Sequence, residues 1–115
     1  MSYITIPQIA NTAPVISRRG TDNVFAELSF ERLPDGRVEL IATLVNYSEF
    51  SGRYTRDELG RTIVDAEEAV DTACDLEWTA VQALDETNSR GTIESLGFGE
   101  AVEAELACTF AVAAE

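Results

Sequence analysis

Between Val24 and Val45 the chain spells out a β-hairpin, and this stretch restricts the possible folds more than any other. Val24, Ala26, Leu28 and Phe30 alternate with Phe25, Glu27, Ser29 and Glu31, the two-residue period of a strand with one buried face. Leu33-Pro34-Asp35-Gly36-Arg37 follows. Here Pro fixes φ, Asp bonds its own backbone and Gly accepts positive φ, so the chain turns. Val38 to Val45 then returns as a strand rich in β-branched and aliphatic residues.

Beyond a polar-aromatic connector from Asn46 to Tyr54, Thr55-Arg56-Asp57-Glu58 matches a capping box. Leu59, Ile63, Ala66, Val70 and Ala73 recur behind it at helical spacing. Asp65, Glu67, Glu68, Asp71 and Asp75 occupy the opposite face. The pattern predicts an acidic amphipathic helix from about residue 56 to about 75. Leu76, Trp78 and Ala80 alternate with Glu77, Thr79 and Val81, which favours a strand over 76–84, with a continuing helix as the alternative. Thr92 to Leu96 reads as a short strand. Val102, Ala104, Leu106, Cys108, Phe110 and Val112 alternate along a long final strand from Ala101 to Ala113.

The expected fold is therefore α+β: an antiparallel sheet, made of the N-terminal hairpin plus C-terminal strands, packed on one main acidic helix. Residues 1–23, interrupted by Pro7 and Pro14, read as an extended arm with a loop over Ser17–Asp22. Residues 24–115 read as a single domain, and 115 residues suffice for one modest core.

Charge and missing residue types narrow the chemistry. Every one of the 8 positive residues is an arginine, set against 21 Asp and Glu, for a net charge of −13. The chain has no His, hence no imidazole base or ligand, and no Lys, hence no Schiff base or P-loop lysine. The negative charge repels phosphate backbones, which argues against nucleic acid as a partner. No run approaches ~18 apolar residues, and Met1 to Ile9 lacks the pattern of a signal peptide, so no membrane span or secretion is expected. The expected setting is the cytoplasm or a virion. A lysine-free acidic composition fits a salt-adapted source, a GC-rich genome, or an acidic surface that meets a basic partner.

Few motifs stand out. Gly97-Phe98-Gly99 is too short for a dinucleotide loop and reads as a turn. Asp65, Glu68, Asp71 and Asp75 form an acidic face without the spacing of a calcium loop, so a solvated surface is expected rather than a metal site. Cys74 and Cys108 sit among small apolar residues and read as buried thiols. Trp78, the single tryptophan, reads as a core anchor.

An acidic helix, Leu76-Glu77-Trp78, Gly91-Thr92-Ile93-Glu94 and a long last strand together resemble dodecins, small flavin-binding oligomers of strand-helix-strand-strand order. The resemblance covers roughly half of the chain. It implies a flavin stacked on Trp78. Residues 1–37 have no counterpart, and the family's flavin-contacting glutamine falls near Gly99.

Three functions follow as expectations, with no catalytic, cofactor-binding or metal-binding residues assigned from the sequence itself. The first is a non-enzymatic assembly or structural protein, of viral or prophage kind. It would associate with itself through the N-terminal arm and the C-terminal strand, with Leu106, Phe110 and Val112 at the interface. The second is an acidic inhibitor or nucleic-acid mimic that offers Asp65, Glu68, Asp71 and Asp75 to a basic protein. The dodecin-like flavin binder is the third.

Overall fold

The structure, a computed structural model, describes residues 14–21, 23–86 and 95–114, with residues 108–114 as backbone only. Four antiparallel strands come first: β1 (Val15–Gly20), β2 (Val24–Arg32), β3 (Val38–Ser48) and β4 (Arg53–Val64). They form one sheet in the order β1-β2-β3-β4, a simple meander. A 3-10 turn over Ala66–Glu68 leads into helix α1 (Ala69–Glu86), and helix α2 (Phe98–Ala114) closes the chain. The fold is α+β, an antiparallel sheet packed on helices.

The hairpin expected at residues 24–45 is present, in the register Val24↔Asn46 through Arg32↔Val38. Its turn works as its residues require. Leu33 N–H donates to the Arg37 carbonyl at 2.8 Å, Gly36 N–H donates to the Leu33 carbonyl at 2.9 Å, and Gly36 has φ +93°. Asp35 accepts from the Arg37 backbone N–H at 3.0 Å. That bond, then the Arg37 guanidinium, holds the Asp35 carboxyl below its ordinary pKa.

The core lies between the sheet and the helices. Ala26, Leu28 and Phe30 of β2 and Val38, Leu40, Ala42 and Leu44 of β3 meet Ala69, Ala73, Ala80, Val81 and Leu84 of α1. Leu96, Phe98 and Val102 close the other end. Small alanines on α1 let the helix sit close to the sheet, and large residues from β2, β3 and α2 fill the remaining space. At Gly60 of β4 an added Cβ would lie 2.8 Å from the Leu76 side chain, so α1 crosses close to that point.

Four local expectations need correction. Residues 53–64 form a strand, so the capping-box pattern at Thr55–Glu58 does not start a helix. Gly60 is a poor interior helix residue, while Tyr54, Thr55, Thr62, Ile63 and Val64 favour a pleated surface, and pairing with β3 decides the outcome. A bulge between Ala42 and Thr43 on the β3 side shifts the register, with Leu59 left between the pairs Thr43↔Glu58 and Ala42↔Gly60. That extra residue breaks the alternation that would have revealed the strand.

Residues 76–84 belong to α1, as the alternative had it, and not to a strand. The decisive series is Ala69, Ala73, Leu76, Ala80 and Leu84, spaced three and four apart, and the Leu76/Trp78/Ala80 alternation is incidental.

The segment from Ala101 to Ala113 is helix, not strand. Phe98, Val102 and Leu106 recur every fourth residue and pack on the core, and alanine and glutamate elsewhere favour helix. Ala fits both periods, so the two-residue alternation carried little information. Leu106, expected at a strand interface, is instead half-buried on α2. Phe110 and Val112 are on the same helix, with side chains outside the described ones.

Residues 15–20, expected as arm and loop, pair with β2 from Val15↔Ser29 to Gly20↔Phe25. The expected strand at 92–96 lies mostly outside the described residues. With α1 running through Trp78 and α2 in place of the last strand, the strand-helix-strand-strand order of dodecins is not the order seen.

Candidate interaction surfaces

The two faces of the molecule treat charge differently. On the sheet face away from the helices, Glu27 is 1% exposed at the centre of β2. Arg18 of β1 reaches its Oε2 with Nη2 at 2.7 Å and Nε at 2.8 Å. Arg56 of β4 reaches Oε1 with Nη1 at 2.6 Å. Arg56 stands opposite Val45 on β3, so its stem crosses β3 to arrive at β2. This explains why Val45, on the face without helices, is fully buried. The Arg18 guanidinium also lies 5.1 Å from the centre of the Phe25 ring.

Arg61, opposite Ile41, repeats the device. It bonds Glu39 at 3.0 Å and Glu58 at 2.9 Å. Glu58, then Glu39, raises the Arg61 guanidinium above its usual pKa. At the end of the β3–β4 hairpin, Tyr47 and Tyr54 are cross-strand partners with ring centres 4.9 Å apart. Phe50 in the connecting turn is fully exposed.

Among the described residues, the helical side carries carboxylates and no arginine. Asp65 and Glu68 flank the 3-10 turn, where Glu68 N–H donates to the Asp65 carbonyl at 2.9 Å. Asp71 and Asp75 lie one turn apart on the outer face of α1, and all four residues are exposed. The structure therefore places the sequence-identified acidic residues along one side, split between a turn and a helix. Among the described residues, no group of three or more Cys, Asp or Glu is arranged to hold a metal ion.

Trp78 shares that outer face. It follows Asp75 by three positions and Asp71 by seven, and Gln82 comes four later, so all four project from α1 on the side away from the sheet. It is 66% exposed and does not anchor the core. Alanines at 73 and 80 hold the helix down instead. Among the described residues, the indole keeps most of its surface open to water beside Asp71 and Asp75.

Glu77, one residue earlier, is used within the fold. It points toward the start of α2 and accepts from Leu96 N–H and Phe98 N–H, each at 3.0 Å, and from the Ser95 hydroxyl at 3.2 Å. It caps α2 from a different helix, taking backbone donors that α2 cannot satisfy itself. Cys74, expected as a buried thiol, is instead an exposed residue one turn earlier, near Gly99 of α2, where an added Cβ would come within 2.9 Å of its Sγ. Partial burial, followed by the carboxylates of Glu77, Asp71, Glu100 and Asp75, pushes the Cys74 thiol up, so it stays protonated.

An open cleft of about 640 Å³ runs between β1 and the start of α2, lined by Ile16, Arg18, Arg19, Ser95 and Glu100 among others. Its charged walls are of both signs, and no cluster of reacting groups converges in it. Among the described residues, no helix is long and apolar enough to cross a membrane.

No protein family, curated protein or solved structure matches the chain. The surfaces must therefore be read from their own chemistry. Sequence reasoning found the acidic face and missed the clamp on Glu27, the cap by Glu77 and the exposure of Trp78. Alternation placed Glu27 on the outward face of β2, but nothing in the sequence marks Arg18 and Arg56 as its partners across a sheet.

Proposed function

We propose that this is a non-catalytic protein-binding domain whose outer α1 face engages a basic surface on a partner protein. Trp78 carries the reading, as an exposed indole set among Asp71, Asp75 and Gln82. Tryptophan is the residue type most often found at the energetic centre of interfaces. Its ring face attracts Lys or Arg, and the flanking carboxylates steer and hold the same cations. Assembly by adding a C-terminal strand to a neighbour has lost its support, since that segment is helical.

The test is partner capture from cell lysate at low and at high salt, using wild type, Trp78→Ala, and the triple variant Glu68→Gln/Asp71→Asn/Asp75→Asn. A basic protein held by wild type at low salt should be lost from both variants while circular dichroism stays unchanged. Retention of the same partner by both folded variants defeats the reading.

A further inference from the structure

β4 is an edge of the sheet, and among the described residues nothing pairs with its outer side. Its first half, Arg53 to Glu58, is exposed at every residue and precedes the bulge at Leu59 and the crossing of α1 at Gly60. Among the described residues, the backbone donors and acceptors along the outer side of this regular stretch have no strand partner. Charged side chains on such an edge ordinarily repel a second strand. Here they select one.

We propose that two copies of this chain join by antiparallel pairing of β4 with β4 about a two-fold axis at Thr55, merging the two sheets into one. Two identical antiparallel strands related by a two-fold axis through a residue place that residue opposite itself. With Thr55 at that position, Arg53 faces Asp57 of the second copy, Tyr54 faces Arg56, and each pair occurs twice. Opposite charges are favourable cross-strand neighbours, and Tyr54 meets only the start of the Arg56 stem, whose guanidinium stays on Glu27. A pair of threonines at the centre suits a pleated surface.

The neighbouring registers fail. An axis at Arg56 sets arginine against arginine, an axis at Asp57 sets aspartate against aspartate, and an axis at Tyr54 pairs no opposite charges. The faces also agree. Thr55 and Asp57 stand opposite Asn46 and Leu44, on the helix side of the sheet, while Tyr54 and Arg56 stand opposite Tyr47 and Val45, on the other side. Arg53–Asp57 contacts thus form on the helix side and Tyr54–Arg56 contacts on the other.

Two further observations favour a second copy as the occupant. Arg53 and Asp57 enter no ion pair among the described residues, as Arg19 and Arg32 also do not, so both charges are available to a second copy. And β4, with three arginines against Asp57 and Glu58, is among the least acidic parts of a chain of net charge −13, so copies meet there with the least repulsion.

The experiment is sedimentation equilibrium of the full chain over a wide concentration series. Wild type should dimerise reversibly. Arg53→Asp alone and Asp57→Arg alone should each weaken dimerisation by about tenfold or more, since two attractive pairs become repulsive. The double variant Arg53→Asp/Asp57→Arg should recover it, because the swap restores both pairs. In a Cys74→Ser/Cys108→Ser background, Thr55→Cys should form a covalent dimer on mild oxidation and Thr62→Cys should not. A monomeric wild type, a double variant no better than the single ones, or cross-linking by the Thr62→Cys variant equal to that by Thr55→Cys overturns the proposal. None of these readouts involves Trp78 or the acidic face, so the outcome is independent of the partner proposed for α1.

Discussion

The sheet and the helical layer carry charge in opposite ways. Residues 14–64 hold seven arginines and eight carboxylates, while residues 65–115 hold Arg90 alone against thirteen carboxylates. Almost the whole net charge therefore belongs to the second half of the chain. In the sheet, side chains stand roughly perpendicular to its plane, and the long stem of an arginine can lean across a neighbouring strand to reach a carboxylate on the next. Register thus converts charge into specific contacts such as Arg18–Glu27–Arg56. The described residues of the helical half include no arginine, and Asp65, Glu68, Asp71 and Asp75 on its outer side enter no ion pair among the described residues. One region uses charge to fix its geometry, and the other uses it to face outward.

The largest expected effect tests the sheet half of this contrast. Removing both arginines, Arg18→Ala with Arg56→Ala, leaves the carboxylate of Glu27 buried without a counter-charge. That should cost about 3–5 kcal/mol, toward the lower end because both guanidiniums are half exposed to water. Glu27→Leu should cost far less, since it removes the buried charge itself and leaves two solvated arginines. Urea unfolding of the two variants checks the asymmetry. Equal losses would mean that the clamp is only decoration on a strand held by its apolar partners.

A middle-sized effect tests the cap by Glu77. Glu77→Ala strips three hydrogen bonds from the start of α2 and should cost roughly 1–2 kcal/mol, the range of a lost helix cap. Hydrogen exchange at the Leu96 and Phe98 amides should accelerate with it. An unchanged melting temperature would show that Phe98 and Val102 alone seat α2.

The smallest effect has the opposite sign. Neutralising Glu68, Asp71 and Asp75 should raise stability by a few tenths of a kcal/mol, about 0.2–0.5 for each like-charge neighbour relieved. Raising salt from low to moderate should raise the melting temperature in the same sense, because screening reaches the exposed helical carboxylates while the buried Glu27 pairs are screened less. A flat response to salt and to the triple substitution would mean that these carboxylates are already neutralised by bound cations.

The sequence was readable where local chemistry and tertiary environment agree. At Val24–Val45, period, turn residues and β-branched content all point the same way, and the register follows. The presence of an amphipathic helix was also legible, through its carboxylates and its spaced alanines and valines. Its start was misplaced because Thr55–Glu58 satisfies a capping pattern that costs nothing to form by chance. The acidic face was found because, unlike a cap or a clamp, it requires no partner to be recognised.

What the sequence alone determined is the hairpin, the α+β class, the charge and the absence of imidazole and amine chemistry, all properties of single residues or near neighbours. The identity of β4 as a strand, α2 as a helix, the burial of Glu27 and the exposure of Trp78 came only from the tertiary structure. Each depends on groups distant in sequence. β4 is a strand because β3 offers it a ladder, and α2 is a helix because its four-residue apolar series finds a core to cover. Glu27 is buried because arginines from two other strands reach it, and Trp78 stays outside because alanines already fill the contact between α1 and the sheet. Local patterns weigh tenths of a kcal/mol per residue, and burial against a distant surface weighs several times more.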